Sequence, residues 1–211
     1  MSPRQPLVYV VDDDASVRKS LGRLLQSHGF QCEAFATADD FLSFPHVTHP
    51  ACLVLDLRLP GLNGLALQEE MQAQKMAIPI IFISGYGDIP TGVKAMKAGA
   101  VDFLPKPFSE KALLDAITIA IAKGTEEGKR RSEGAKIELL IKALTPRELD
   151  VMKLVIKGML NKQIAAELGI SIKTVKVHRG RVMQKMQVES VAELVRLAEK
   201  AGIEVSDKEV R

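Results

Sequence analysis

Five times within the first 123 residues a short apolar run hands over to a helically spaced segment. The runs are Leu7 to Val11, Phe30 to Phe35, Cys52 to Leu55, Pro79 to Ile83 and Val101 to Leu104. The segments that follow them are Ala15 to His28, Asp39 to Phe44, Leu65 to Gln74, Thr91 to Ala98, and a last one that Ser109 can cap, ending near Lys123. In the first of these the apolar residues fall at Val17, Leu21, Leu24 and Leu25, the repeat of a helix face, and Gly29 stops it. Strands alternating with helices dictate a parallel sheet with helices on both faces. Chemistry in such folds gathers at the carboxyl ends of the strands. Here those ends carry Asp12-Asp13-Asp14, Asp56, Ser84 and Lys106.

Those residue types define a chemistry when they converge. Carboxylates at adjacent strand ends suit a hard cation such as Mg2+, which prefers oxygen ligands and shares them with phosphate. Asp12 and Asp13 are the expected ligands, with Asp56 completing the set. A carboxylate beside such a cation and a lysine is expected to act as a phosphoryl acceptor, forming an acyl phosphate. Lys106 would offset phosphoryl charge, and the Ser84 hydroxyl can hydrogen-bond the same oxygens. Asp14 is expected to cap the first helix. An aspartyl-phosphate phosphatase of the haloacid dehalogenase type is the alternative. It places two carboxylates two residues apart after one strand, whereas here the acceptor and the acidic pair sit on different strands.

The second half differs in charge. Residues 1–128 carry 11 Lys and Arg against 15 Asp and Glu, a balance of −4, while residues 129–211 carry 18 against 11, a balance of +7. An acidic half joined to a basic half points to two tasks, the basic one toward nucleic acid. Between them, residues 124–143 open on a polar, charge-rich stretch with glycines, read as a linker or a frayed helix extension. The divisions expected are 1–123, the linker, a helical domain over 144–203 and a tail over 204–211. Cys32 and Cys52 lie in apolar segments, so buried thiols are expected rather than a disulfide framework. No run of about 18 apolar residues marks a membrane span, and no basic-plus-apolar leader opens the chain, so a cytoplasmic location is expected.

In the basic half, Thr145 and Glu148 match a capping box, and Pro146 suits the first helical position. Leu149, Met152, Val155 and Ile156 form an apolar stripe ending near Gly158. Asn161 is expected to cap a short helix holding Ile164, Ala165 and Leu168. Gly169 permits a tight turn, and Ser171 caps the next helix. That helix carries Ile172, Val175, Val182 and Met186 on one side. Its other side carries Lys173, Thr174, Lys176, Val177, His178, Arg179 and Arg181, with Gly180 among them. A basic face on the second helix of a helix–turn–helix fits the DNA major groove. RNA binding is disfavoured, because no aromatic residue follows Phe108 to stack on bases.

The segments VYVVDDD, LVLDLRLPGLNG, IIFISGYGD and AGAVDFLPKPF resemble the receiver domain of bacterial two-component response regulators. The segments LTPRE, NKQIA, LGIS and TVKVHR are similar to the output domain of LuxR/FixJ-type regulators. The resemblance implies a flavodoxin-like α/β receiver with strand order 2-1-3-4-5, followed by an all-α four-helix helix–turn–helix domain. It implies that Asp56 accepts phosphate from a sensor histidine kinase. Asp12, Asp13, Asp56 and the backbone carbonyl of Arg58 would hold Mg2+, and the amides of Arg58 and Gly85 would contact the phosphoryl group. Ser84 and Lys106 would bind its oxygens, Phe103 would be the aromatic switch, and Arg58 and Tyr86 would tune water attack. A homodimer through the face carrying Val93, Met96 and Lys97 is implied, as is binding to double-stranded promoter DNA. Lys176, Val177 and Gly180 would face bases, Arg179 and Arg181 bases or phosphates, and Lys162 and Lys173 phosphates. RNA polymerase is an added partner. The chain would not be a turnover enzyme. A degenerate receiver on a constitutive DNA binder is the remaining alternative.

Overall fold

The computed structural model describes residues 5–46, 50–85 and 89–203; Tyr86 and the tail over 204–211 lie outside them. The chain divides into two compact units, one through Lys129 and one from Arg130.

In the first unit the strands are β1 (Leu7–Val11), β2 (Gln31–Phe35), β3 (Ala51–Asp56), β4 (Ile80–Ser84) and β5 (Asp102–Pro105). The intervening helices are α1 (Ala15–Ser27), α2 (Ala38–Ser43), α3 (Gly64–Ala73) and α4 (Ile89–Lys97), and α5 (Glu110–Lys142) follows. The sheet is parallel, as the alternation required, and its order β2-β1-β3-β4-β5 is the one the receiver resemblance implies. The central strands β1, β3 and β4 are buried along their whole length, the mark of a parallel sheet covered on both faces.

Alternation along each strand builds two cores. Tyr9, Leu53, Leu55 and Phe82 face Phe41, Leu67, Met71 and Ala95. Val8, Val10, Cys52, Val54, Ile81 and Ile83 face Leu21, Leu25, Leu113 and Ile117. Cys52 is fully buried and Cys32 half-buried, and burial pushes the Cys52 thiol up to about 12 and the Cys32 thiol to about 11. Both behave as small hydrophobes.

Element edges shift for local reasons. Phe30 is not in β2: its N–H donates to Leu25 O at 3.0 Å, closing α1 around Gly29, whose φ is 81°. Helix α4 begins at Ile89, with Pro90 in its first turn, where a missing N–H loses no helical partner. Asp14 does cap α1, accepting from Ser16 N at 2.7 Å. Ser109 Oγ accepts from Ala112 N at 3.2 Å at the start of α5.

Of the two readings of 124–143, a linker or a helix extension, the structure has the extension: α5 continues without a break to Lys142. Its glycines lower helix propensity, but Lys, Arg and Glu between them favour the helix, helped by Lys129–Glu126 at 3.3 Å and Lys142–Glu138 at 2.7 Å. Gly124 also has a packing reason, since a Cβ there would lie 3.0 Å from Pro79 and 3.4 Å from Ala51 O.

The second unit holds α6 (Pro146–Ile156), α7 (Asn161–Leu168), α8 (Ile172–Lys185) and α9 (Val191–Lys200). Val151, Met152, Val155, Ile164, Val175, Val182, Met186, Leu194 and Ala198 form its core. The capping box is present, with Thr145 N donating to Glu148 Oε2 at 2.9 Å and Glu148 N to Thr145 Oγ1 at 3.3 Å. Two local expectations fail. The cap of α7 is Leu160, whose N–H donates to Gln163 Oε1 at 2.7 Å; Asn161 is already helical and accepts from Arg179 Nη1 at 3.0 Å. Ile172 does not join the apolar side of α8: it is 45% exposed, because the first turn of α8 projects past the core that buries Val175 and Val182.

Candidate functional site

The sheet register assembles the first site. Val11 pairs with Leu55, so Asp12 and Asp56, one residue further on, come level at the carboxyl edge. Asp56 pairs with Ile83 and Ser84 with Pro105, which places Ser84 and Lys106 on the two strands beyond. The backbone of Lys106 is fixed by its N–H donating to Ser84 O at 2.7 Å. The ligand oxygens of Asp12, Asp13 and Asp56 all lie within 4.8 Å of one another. Asp12 is fully buried, Asp56 and Ser84 are buried, and Asp13 is exposed.

The electrostatics follow from that crowding. Lys106 Nζ donates to Asp12 Oδ2 at 2.7 Å and lies 3.4 Å from Asp56 Oδ1. Burial pushes the Asp56 carboxyl above its ordinary range, Lys106 opposes this, and the charges of Asp12 and Asp13 reinforce it. Burial alone would lower the Lys106 ammonium, but the hydrogen bond to Asp12 and the two carboxylate charges hold it above its ordinary value. Three carboxylates against one ammonium leave an excess of negative charge and oxygen donors. That is the donor set a hard divalent cation satisfies, so the residues fit Mg2+.

Three supporting contacts were not foreseen. Arg18 Nη1, from α1, donates to the backbone Asp12 O at 2.6 Å, and Asp14 N donates to Asp12 Oδ1 at 2.9 Å, so the backbone is held from α1 and the buried carboxylate is oriented from its own loop. Gly64 opens α3 against the Asp56 loop: a Cβ there would sit 2.6 Å from Asp56 O and 3.1 Å from Leu57 Cα. Its N–H donates to Leu57 O at 3.0 Å, while Leu57 N donates to Ile83 O at 3.1 Å, extending the sheet one residue past Asp56. Glycine at the end of LVLDLRLPGLNG was the available signal, but only the tertiary contact explains it.

Phe103 is half-buried, its ring centroid 6.4 Å from that of Phe82, and Gly92 lies over it so that a Cβ there would stand 3.6 Å from the ring. Val93 and Met96, on α4, are 45% and 44% exposed. Arg58 is exposed between the buried Leu57 and Leu59.

The second site lies on α8. Lys173, Lys176, Val177, Gly180 and Arg181 are exposed, while Thr174, His178 and Arg179 are half-buried. Among the described residues, no salt bridge engages Lys173, Lys176 or Arg181. Arg179, by contrast, is spent on Asn161 and braces α7 against α8. Lys162 is exposed in the first turn of α7. The turn between the two helices is set by Gly169, at φ 64° and ψ 35°, and Ser171 Oγ accepts from Thr174 N at 3.0 Å. Lys185 locks the far end of α8 onto α6, donating to Glu148 Oε2 at 2.6 Å and Ala143 O at 3.1 Å.

Comparison with known proteins finds a match for each half of the chain. Residues 8–118 match the response regulator receiver domain model, and residues 142–198 match the bacterial regulatory proteins, luxR family model. Nodulation protein W of Bradyrhizobium diazoefficiens is 48% identical over 205 residues, covering 96% of this chain and 89% of that protein. The transcriptional regulatory protein FixJ of the same organism is 44% identical over 196 residues, covering 93% of this chain and 96% of that protein. Among solved structures, the response regulator StyR superposes with a TM-score of 0.84 at 52% identity, covering 93% of this chain and 99% of that one. The matches run along the receiver and the four-helix domain alike, and the chain belongs to the response regulators that pair a receiver with a LuxR-type DNA-binding domain, the FixJ-like transcriptional regulators.

Proposed function

We propose that the chain is switched by phosphoryl transfer to Asp56 and, once switched, reads promoter DNA with α8. The observation that carries the reading is the convergence of Asp12, Asp13 and Asp56 within 4.8 Å, with Lys106 Nζ 2.7 Å from Asp12 and 3.4 Å from Asp56. A sensor histidine kinase is the donor: an Asp56 oxygen attacks phosphorus, a P–O bond forms, the P–N bond breaks, and the imidazole leaves with the electron pair. Asp12, Asp13, Asp56 and the carbonyl of Arg58 would hold Mg2+, which when bound offsets charge on the phosphoryl oxygens. Lys106 neutralises the remaining charge on that side. The Ser84 hydroxyl and the amides of Arg58 and Gly85 hydrogen-bond the same oxygens.

The readout runs through packing. Ser84 moves toward the phosphoryl group, and Phe103 turns into the space it leaves, reshaping the face of α4, β5 and α5 that carries Val93, Met96 and Lys97. That face pairs with a second copy, and two α8 helices then meet a two-fold DNA site with half-sites about one helical turn apart or a multiple of it. Lys176, Val177 and Gly180 face base edges, Arg179 and Arg181 lie near bases or phosphates, and Thr174 and His178 stand beside them. Lys162 and Lys173 contact phosphates, which position the helix without specifying sequence. The chain works by stoichiometric switching in the compartment that holds the chromosome, with RNA polymerase as a further partner.

The test is intact mass after incubation with acetyl phosphate and Mg2+. The native chain gains one phosphoryl group and Asp56→Ala gains none while keeping its circular dichroism spectrum. An equal adduct on both overturns the acceptor assignment.

A further inference from the structure

We infer that Gly180 is a specificity-determining residue: it brings the backbone of α8 against the groove floor more closely than any side chain would allow. The inference rests on the proposal that α8 reads DNA. Gly180 stands in the middle of a 14-residue helix, at negative φ, where glycine is the poorest of the ordinary helix formers. The fold offers no reason for it. A Cβ built at Gly180 meets no atom within 4 Å, so the domain would accept alanine and gain stability from it.

The other glycines show what a structural reason looks like. Gly64 would drive a Cβ to 2.6 Å from a backbone oxygen, and Gly169 holds the left-handed turn that joins α7 to α8. Gly128 and Gly134 also face open space, but both lie on the charged stretch of α5 and not in the middle of a packed helical domain.

The position supplies the missing reason. Four residues after Lys176 and three after Val177, Gly180 is adjacent to both on the helix surface. Lys173 and Arg181 complete the exposed stripe around it. A bare Cα at the centre of a basic, outward stripe is the surface feature of a backbone that something approaches closely. Lys176 and Val177 then reach deeper into the groove than they could over a side chain at 180. An unfilled centre also places Val177, 47% exposed, where an apolar group such as a thymine methyl can meet it.

The experiment uses the full chain, phosphorylated with acetyl phosphate and Mg2+. Duplexes are first enriched from a randomised pool by the native protein, and binding to the enriched duplex and to a random-sequence duplex is then measured for the native chain, Gly180→Ala and Gly180→Ser. Gly180→Ala should raise the melting temperature by about 4 °C, weaken the enriched duplex at least tenfold and leave the random duplex within about twofold. Gly180→Ser should lose the enriched duplex as well, since it shares the Cβ. Equal affinity of Gly180→Ala for the enriched duplex overturns the role of Gly180 alone. A lowered melting temperature also overturns it, by showing that the glycine serves the fold. Failure of the native chain to enrich any sequence overturns the DNA reading and this inference together.

Discussion

The two sites are built on opposite terms. At the strand ends of the receiver, Asp12, Asp56 and Ser84 are buried, and Lys106 is already paired with two carboxylates. On α8, Lys173, Lys176 and Arg181 are exposed and bear no salt bridge among the described residues. Covalent chemistry on phosphorus needs charges fixed in advance in a place where water is scarce. Groove recognition needs charges held in the open, because their counter-charges arrive with the ligand. Gly64 and Gly180 condense the contrast: the first is filled by its own fold and the second faces nothing.

The sharpest way to break that comparison is to add one methyl group at Gly64. Gly64→Ala forces a Cβ to within 2.6 Å of Asp56 O, a backbone atom that can yield only by moving the acceptor loop. The expected loss is roughly 3 kcal/mol of receiver stability, together with loss of the phosphoryl adduct. Urea unfolding followed by intact mass checks both, and an unchanged midpoint would show that the loop is softer than its contacts imply. Next in size, Lys106→Met keeps much of the side-chain length and removes the charge. Phosphorylation by acetyl phosphate should slow roughly 100-fold. A rate within a factor of two of native would detach Lys106 from the chemistry and leave it as a partner of Asp12 only.

On the open side, Lys176→Ala should weaken the enriched duplex by roughly 1–3 kcal/mol without moving the melting temperature. The same change at Arg179 should do both, because its guanidinium holds Asn161 on α7 at 3.0 Å. If Arg179→Ala left stability untouched, that brace would be ornamental and Arg179 would belong with the exposed readers.

These sites were unequally legible in the sequence. The convergence of Asp12, Asp13, Asp56, Ser84 and Lys106 was legible, since strand–helix alternation fixes where strands end and these residues sit at those ends, whereas the support from Arg18 and Gly64 was not. The stripe on α8 was read because charge and helical period coincide there. Contacts between distant residues were not legible. Asn161 looked like a cap because it precedes an apolar helix, yet its side chain answers Arg179 on the next helix. Gln68, buried on α3, donates to Ala95 O and Ala98 O at 3.2 and 3.1 Å and so satisfies the carboxyl end of α4, a role no local pattern announces. The long reach of α5 was half legible: a glycine-bearing charged stretch reads equally as a linker or a helix extension, and the i,i+3 and i,i+4 pairs and the passage of Gly124 past Pro79 accompany the helix that forms.

The smallest expected effect concerns Glu148, the buried carboxylate of the DNA-binding unit and the counterpart of Asp56. Hydrogen bonds from Lys185, then from the Thr145 backbone, hold its carboxyl down at about 2 against an ordinary 4.5. A group that ionises more readily when folded stabilises the fold at every pH above its unfolded value. That contribution is complete above about pH 4.5 and is lost as pH falls toward about 2. Glu148→Gln removes the charge while keeping the shape, so its melting temperature should lie a few degrees below native at pH 7 and converge with it near pH 2. Asp56 is pushed the other way, mainly by burial, so the two carboxylates differ in what folding does to their charge. In the receiver burial sets the carboxylate against its own charge, whereas the DNA-binding unit uses its carboxylate as a clasp between α6 and α8. A constant gap between Glu148→Gln and native from pH 7 to pH 2 would mean that shape and hydrogen bonding, rather than charge, join those two helices.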